Sequence, residues 1–296
     1  MKCATVSLIG RPSAGKSTLV NTICEMKVSI TAKTPQTTRN AIRGIYTDSR
    51  GQLIFTDTPG FHLSDKNFNK RMQDVTLGAL DESDTILYVI DASREAEAEE
   101  IAIATILQKA KSPVIVVINK KDILSDNQIE KAKEFVTTYL PNAPLLTASG
   151  GKDDGVDEIL IEIFKNAPEG ELMYDESQYT DQDLEFRISE IIREKTINLL
   201  SQELPHVIYV EISDIEYNEE TKEVWIRAFI VTEREGQKGI IVGKGGENIR
   251  TIRKQSFTEI KRIFPGKTLN LDLRVKAQAK WRNNQIILDK LFKQQR

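Results

Sequence analysis

The first chemistry in the chain lies in nine consecutive residues, Gly10-Arg11-Pro12-Ser13-Ala14-Gly15-Lys16-Ser17-Thr18. The spacing is G-x-x-x-x-G-K-[ST], preceded by an apolar run at 4–9 and followed by a helical pattern from Ser17, so it reads as strand, phosphate loop, helix. Glycine at both ends lets the backbone wrap closely enough to aim N–H groups at phosphate oxygens, and the helix adds its N-terminal partial positive charge. Lys16 reaches the β- and γ-phosphates in this reading. The Ser17 hydroxyl serves Mg²⁺, a hard cation that takes oxygen ligands. The loop specifies a nucleoside triphosphate and leaves the base open.

Two more motifs follow in order. Asp57-Thr58-Pro59-Gly60 ends a second apolar run, where a carboxylate can hold the Mg²⁺ water shell and the Gly60 N–H can turn toward a γ-phosphate. Asn119-Lys120-Lys121-Asp122 follows the apolar run 114–118, and its N-K-x-D spacing selects a base. The Asp122 carboxylate can accept from both N1–H and the exocyclic amine of guanine, a donor pair that adenine lacks, and an unpaired carboxylate there is costly. After 145–146 come Thr147 and Ala148, placed where a backbone N–H could meet guanine O6.

β-branched-rich runs at 4–9, 52–57, 85–91 and 114–119, with a shorter one at 145–148, are mostly separated by helical patterns. Continuous runs such as Val114-Ile115-Val116-Val117-Ile118 suit strands covered on both faces. The expectation is a doubly wound, mostly parallel α/β sheet with its ligand at the carboxyl ends of the strands.

With these motifs in this order the chain resembles the translation-factor-related GTPases. The stretch Lys33-Thr34-Pro35-Gln36-Thr37-Thr38-Arg39 is similar to that family's switch I. The resemblance implies a threonine that joins the Mg²⁺ shell with GTP bound; Thr38 is assigned, with Thr37 next. It also gives Lys16, Thr38 and Gly60 the catalytic roles, and it implies two loops that relax together when the γ-phosphate is lost. Phe61 follows Gly60 where other GTPases carry a water-orienting glutamine, so slow intrinsic turnover is expected. His62 is read as incidental to catalysis. Ser13 stands where the family often has asparagine, a position associated there with a monovalent cation, which leaves potassium stimulation open. Thr147 replaces the usual serine.

A first domain is expected over 1–170, a linker rich in acidic residues, Ser, Gln and Tyr over 171–183, and a second domain over 184–296. Helical spacing runs from 184 to 204, where Pro205 stops it, and strands at 207–217 and 223–232 read as a hairpin. Then comes a G-x-x-G loop, Gly243-Lys244-Gly245-Gly246, with Gly239, Ile240 and Ile241 before it and a basic helix bearing Arg250, Arg253 and Lys254 after it. A strand at 268–275 and a last helix at 281–292 complete the order. G-x-x-G alone is common. In this order of elements it resembles a type II KH domain, a smaller α+β fold, and the loop, the apolar residues beside it and the basic helix are assigned to single-stranded RNA.

The whole chain thereby resembles bacterial ribosome-assembly GTPases that join a G domain to a KH domain. That likeness rests also on the 190–195 segment Glu-Ile-Ile-Arg-Glu-Lys and on Glu233-Arg234-Glu235-Gly236-Gln237-Lys238. It implies GTP/GDP and Mg²⁺ as ligands, and binding of the 3′ end of small-subunit ribosomal RNA, promoted by GTP, during assembly of the small ribosomal subunit. It implies contact with the cytoplasmic membrane face, supported here by basicity alone. No DNA is expected as partner. The alternative is a membrane or signalling GTPase whose KH-like domain only docks; a small-substrate kinase would leave the N-K-x-D motif without a use.

Charge divides the chain. Residues 235–296 hold 15 Lys+Arg against 5 Asp+Glu, although the net charge overall is −3. Cys3 and Cys24 are too few for a disulfide framework and read as buried thiols of a reducing cytosol. No basic-then-apolar leader or membrane-length apolar run is present, so a cytoplasmic protein is expected. Nothing calls for a dimer. On the 190–195 segment, Ile191 and Ile192 read as core with Glu190, Arg193, Glu194 and Lys195 outside, and Trp281 reads as packing rather than base stacking.

Overall fold

The computed structural model describes residues 1–32, 37–63, 67–200 and 207–293. Lys33-Thr34-Pro35-Gln36 of the switch-like stretch, and Pro205, lie outside the described residues. Packing divides the chain into two compact bodies. The first comprises Met1–Thr31 and Thr38–Asp181; the second takes in Ala32 and Thr37 together with the described residues from Gln182 onward.

The first body alternates β1 (Lys2–Ile9), α1 (Lys16–Ile23), β2 (Ile42–Asp48), β3 (Gly51–Asp57), α2 (Asn67–Asp81), β4 (Thr85–Asp91), α3 (Ala98–Leu107), β5 (Val114–Asn119), α4 (Asp126–Tyr139), β6 (Leu145–Thr147) and α5 (Val156–Asn166). The sheet order is β2-β3-β1-β4-β5-β6, parallel except for the β2–β3 pair. β3 and β4 are buried at every position, as strands under helices on both faces must be. On β4, Ile86, Tyr88 and Ile90 are two apart and so share a face, where they meet Ile103 and Leu107 of α3 and Val136 of α4. Burying each such aliphatic side chain contributes about 1.5–3 kcal/mol. β1, β3, β4 and β5 end at Ile9, Asp57, Asp91 and Asn119, which brings the phosphate loop, D-T-P-G and N-K-x-D to one edge of the sheet.

β2 is the strand that the apolar runs did not announce. It is half-exposed, and pairs antiparallel with β3 through a tight turn between Asp48 and Gly51. Its outer edge is covered by the stretch expected to be a linker. Ile45 N donates to Tyr179 O at 2.9 Å, Thr180 Oγ1 donates to Arg43 O at 2.8 Å, and Gln52 holds the backbone of Met173 and Tyr174 at 3.0 Å. An open strand edge invites pairing with other chains, and this one is closed from within. Cys3 and Cys24 are both buried free thiols, and burial pushes the Cys24 thiol up to about 12.

The second body contains α6 (Leu184–Leu199), β7 (Tyr209–Asn218), β8 (Glu223–Thr232), α7 (Glu235–Val242), α8 (Glu247–Ile260), β9 (Thr268–Ala277) and α9 (Gln285–Lys293). Its sheet runs β7-β8-β9, antiparallel then parallel. Alternate residues Val224, Ile226, Ala228 and Ile230 of β8 join Ile188 and Ile192 of α6, Ile241 of α7 and Ile252 of α8 in one core. α6 ends at Leu199 rather than 204, and the last helix starts at Gln285 after a 3-10 turn at Trp281–Asn283 rather than at 281. Trp281 is fully buried, donates Nε1–H to Val207 O at 3.0 Å and stands edge-on to Tyr209. No described helix is long and apolar enough to cross a membrane.

Candidate functional site

Gly15 caps α1 with φ 96°, a left-handed conformation that favours glycine, and a Cβ there would stand 2.3 Å from Asn119 Nδ2. The same Asn119 Nδ2 donates to Ala14 O at 3.0 Å, and its Oδ1 accepts from Gly150 N at 3.0 Å. One asparagine therefore braces the phosphate loop against the loop after β6. Gly10 and Pro12 lie in the loop between β1 and α1, and Thr18 in the first turn of α1; Arg94 Nη2 holds Pro12 O at 2.9 Å, and Ser13 is exposed at the tip with φ 65°. The Arg11 side chain turns away from the loop, paired with buried Glu100, which also accepts from Tyr88 Oη at 2.7 Å. Burial raises the Glu100 pKa, against the pull of Tyr88 and Arg11.

Lys16 Nζ donates to Gly10 O at 3.0 Å and Arg11 O at 3.3 Å. Ser17 Oγ donates to Asp57 Oδ2 at 2.6 Å, and Thr38 Oγ1 lies 2.9 Å from Ser17 Oγ and 3.3 Å from Asp57 Oδ2. Ser17, Thr38 and Asp57, drawn from α1, the segment before β2 and the end of β3, thus converge on one point. Asp57 is fully buried, its Oδ1 has no hydrogen-bond partner, and burial raises its pKa against the Lys16 ammonium and the Ser17 hydroxyl. An orphaned carboxylate oxygen beside two hydroxyls fits a hard divalent cation that keeps several waters. Among the described residues no cluster of three or more His, Cys, Asp or Glu side chains could hold a metal, so the donor set is one of hydroxyls and a single carboxylate.

Thr58 Oγ1 is tied to Leu8 O at 2.5 Å, and Pro59 O accepts from Thr76 Oγ1 at 3.2 Å. Gly60 presses on the phosphate loop, with the place of a Cβ only 2.6 Å from Pro12 Cα. Phe61 N donates to Gly10 O at 3.1 Å while its ring is buried in the first body's core, so the position after Gly60 supplies packing. His62 is paired with Glu99.

At the base-selecting end, Lys120 adopts φ 64° and donates to Asp91 Oδ2 at 2.8 Å. Burial works to raise the Asp91 pKa, yet Lys120 and Ser93 hold it below the usual carboxylate range. Asp122 is exposed, with Oδ1 accepting from Ser149 Oγ at 2.5 Å. This corrects the reading of Thr147 and Ala148. Ala148 N donates to Ile118 O at 2.9 Å and so is spent on the sheet; the hydroxyl that orients Asp122 belongs to Ser149. Ser149 and Asp91 both follow or end strands at the ligand edge, a positional signal that could have found them.

In the second body Gly239 and Ile240 at the end of α7 are exposed, as are Lys244, Gly245, Arg250, Arg253 and Lys254. Gly243 has φ 74° and would place a Cβ 2.7 Å from Asn248 Cγ, whose side chain holds Ile240 O at 2.9 Å. Gly245 and Gly246 have φ 59° and 80°, and Gly246 caps α8. Ile241 departs from its assignment: it is fully buried in the core, so it cannot meet a base.

Residues 5–120 match the family model described as 50S ribosome-binding GTPase, and residues 203–282 the model described as KH domain. The chain is 43% identical to GTPase Era of Treponema denticola over 294 residues, spanning 98% of this chain and 99% of that protein. The chain belongs to the Era family of GTPases. Era of Borrelia duttonii is 45% identical over 292 residues, covering 99% of this chain and all of that one. Two crystal structures of Era resemble the chain at 32% identity with 99% of each chain covered. One, a variant from Aquifex aeolicus bound to GDP·AlF4⁻, has a TM-score of 0.92, and the other, in complex with MgGDPNP and nucleotides 1506–1542 of 16S ribosomal RNA, has 0.93.

For this Era-family chain the buried Lys16 carries a pH consequence. Burial lowers its pKa from 10.5 to about 8, only partly offset by Asp57 and Glu100. Above pH 8 the ligand-free ammonium loses its proton while the unfolded lysine keeps it, so raising pH from 8 toward 10.5 relieves a cost of folding. Phosphate binding requires the charge. A GTP analogue is therefore expected to bind with constant affinity up to about pH 7.5 and to weaken up to about tenfold per unit beyond pH 8. Calorimetry across pH 6.5–9 in buffers of differing ionisation heat checks this; flat affinity and no proton uptake at pH 9 would contradict it.

Proposed function

We propose that this chain is a GTP-binding and GTP-hydrolysing switch that binds the 3′ end of small-subunit ribosomal RNA through its KH domain and acts in assembly of the small ribosomal subunit. The observation that carries the reading is the convergence of Ser17, Thr38 and Asp57 beside a phosphate loop that Asn119 braces. Asp122, oriented by Ser149, supports guanine as the base. The phosphate-loop N–H groups and Lys16 bind and orient the triphosphate. Mg²⁺, held through Ser17, Thr38 and Asp57, supplies charge neutralisation on the phosphate oxygens. Gly60, close against Pro12, offers its N–H as the γ-phosphate contact of the second switch. Phe61 offers no polar group to a water, which supports slow intrinsic turnover. The place of action proposed is the cytoplasm, with peripheral contact at the inner membrane face resting on basicity alone.

The RNA face is assigned to Gly239, Ile240, Lys244, Gly245, Gly246, Arg250, Arg253 and Lys254. A labelled oligonucleotide from the small-subunit 3′ end, titrated with GDP or GDPNP present, tests the whole reading. Tighter binding with GDPNP is the expected result; equal binding would remove the gate. Gly245→Asp narrows the test to the loop. Asp tolerates φ 59° better than most residues and a Cβ there meets nothing within 4 Å, so the change acts through charge. RNA affinity is expected to fall about tenfold or more at low salt, with the difference shrinking as salt rises. Unchanged affinity at every salt concentration, with a native circular dichroism spectrum, would refute the loop assignment.

A further inference from the structure

Helical spacing puts Arg193 and Glu194 on the outside of α6, yet each is 2% exposed. Arg193 donates from Nε and Nη2 to the two Glu190 oxygens, both at 2.6 Å, in a bidentate fork. Nη2 also donates to Thr37 O at 2.5 Å, and Nη1 has no hydrogen-bond partner. A pair serving only to stabilise α6 gains nothing from burial, since desolvating two charges offsets their attraction. What burial provides is a rigid, dry guanidinium aimed at one backbone carbonyl.

That carbonyl stands at a junction. Thr37 belongs with the second body, as does Ala32, which packs against that body's core. The next residue, Thr38, belongs with the first, where its hydroxyl joins Ser17 and Asp57. Adjacent Cα atoms are about 3.8 Å apart, so holding Thr37 O on Arg193 keeps the Thr38 backbone within that reach of its place. Loss of that carbonyl would strand a buried guanidinium with Glu190 as its single partner, which is costly.

We propose that Arg193, oriented by Glu190, is the positioning residue through which the KH body registers whether Thr38 is seated at the metal site. This rests on the switch reading above and names its transmitter. Arginine is required rather than lysine, because one ammonium cannot hold both carboxylate oxygens and a carbonyl in a single plane.

The test uses the full chain and the labelled small-subunit 3′-end RNA, with GDP or GDPNP and Mg²⁺, measured by anisotropy for the wild type, Arg193→Lys and Glu190→Gln. The wild type is expected to bind RNA at least about tenfold more tightly with GDPNP, a usual size for coupling between sites. Arg193→Lys should bring that ratio to within about twofold while GDP affinity and the RNA affinity of the GDP form stay near wild type. Glu190→Gln, which keeps arginine and loosens its orientation, should give an intermediate ratio. A residue that merely supported the fold would lower affinity in both nucleotide states alike and leave the ratio. If the wild type shows the ratio and both variants keep it, the Arg193 proposal is overturned and the switch reading stands. If the wild type shows none, gating itself fails and the proposal falls with it.

Discussion

Asp57→Asn is expected to lower GTP turnover by about 10³-fold, the scale on which loss of a preorganised charge partner acts at a phosphoryl-transfer site. The buried carboxylate already accepts from Ser17 and Thr38 through Oδ2, and its Oδ1 is open to a cation. An amide in its place presents a donor where the metal needs an acceptor, and it removes the negative charge that faces Lys16. The stabilisation conferred by Mg²⁺ and a GTP analogue, about 2.7 kcal/mol at a hundredfold excess over Kd, should vanish from thermal melts of the variant. A variant that still turned over within tenfold of wild type, or kept its Mg²⁺-dependent upshift, would move the metal away from Asp57.

The second large effect is one of selectivity. Asp122→Asn should reverse the preference between GTP and XTP, changing the ratio of their affinities by about 10⁴-fold. In the proposed site the carboxylate would accept from two guanine donors, whereas an asparagine amide would donate to the xanthine oxygen that replaces the amine. Ser149, which holds one Asp122 oxygen at 2.5 Å, fixes the plane in which that choice is made. Competition between labelled GDP and unlabelled XDP measures the change; persistence of guanine preference in the variant would place base selection elsewhere.

Much of the first body was legible because its strands are buried on both faces, so that β-branched residues follow one another without a polar interval. Asp57 and Asn119, at the ends of such strands, were found with them, whereas Asp91 at the end of β4 was not. β2 escaped because it is half-exposed and its pairing is decided by β3 and by residues far along the chain. Arg193 and Glu194 escaped for a related reason: helical periodicity assigns charge to the outside, and burial of the guanidinium is made tolerable by Glu190 together with a distant backbone carbonyl. Ile241 was misplaced by proximity, since an apolar residue beside a G-x-x-G loop looks available to bases until α7 turns it into the core. At the end of β6 the error was one of register. Ala148 N completes the β5–β6 ladder and is therefore spent on the sheet rather than aimed at a base.

The backbone of 174–181 laid along β2, together with the Cys3 N–Pro168 O bond at the start of β1, has a consequence for the order of synthesis. A chain emerging from the ribosome presents β1, β2 and β3 early, but the strip that seals the outer edge of β2 arrives only after every helix of that body has been made. Until residue 181 is free of the exit tunnel, the nascent sheet has an open margin of unmet amides beside the machinery that is making it. Completion of the first body is thus timed by the segment that leads into the second.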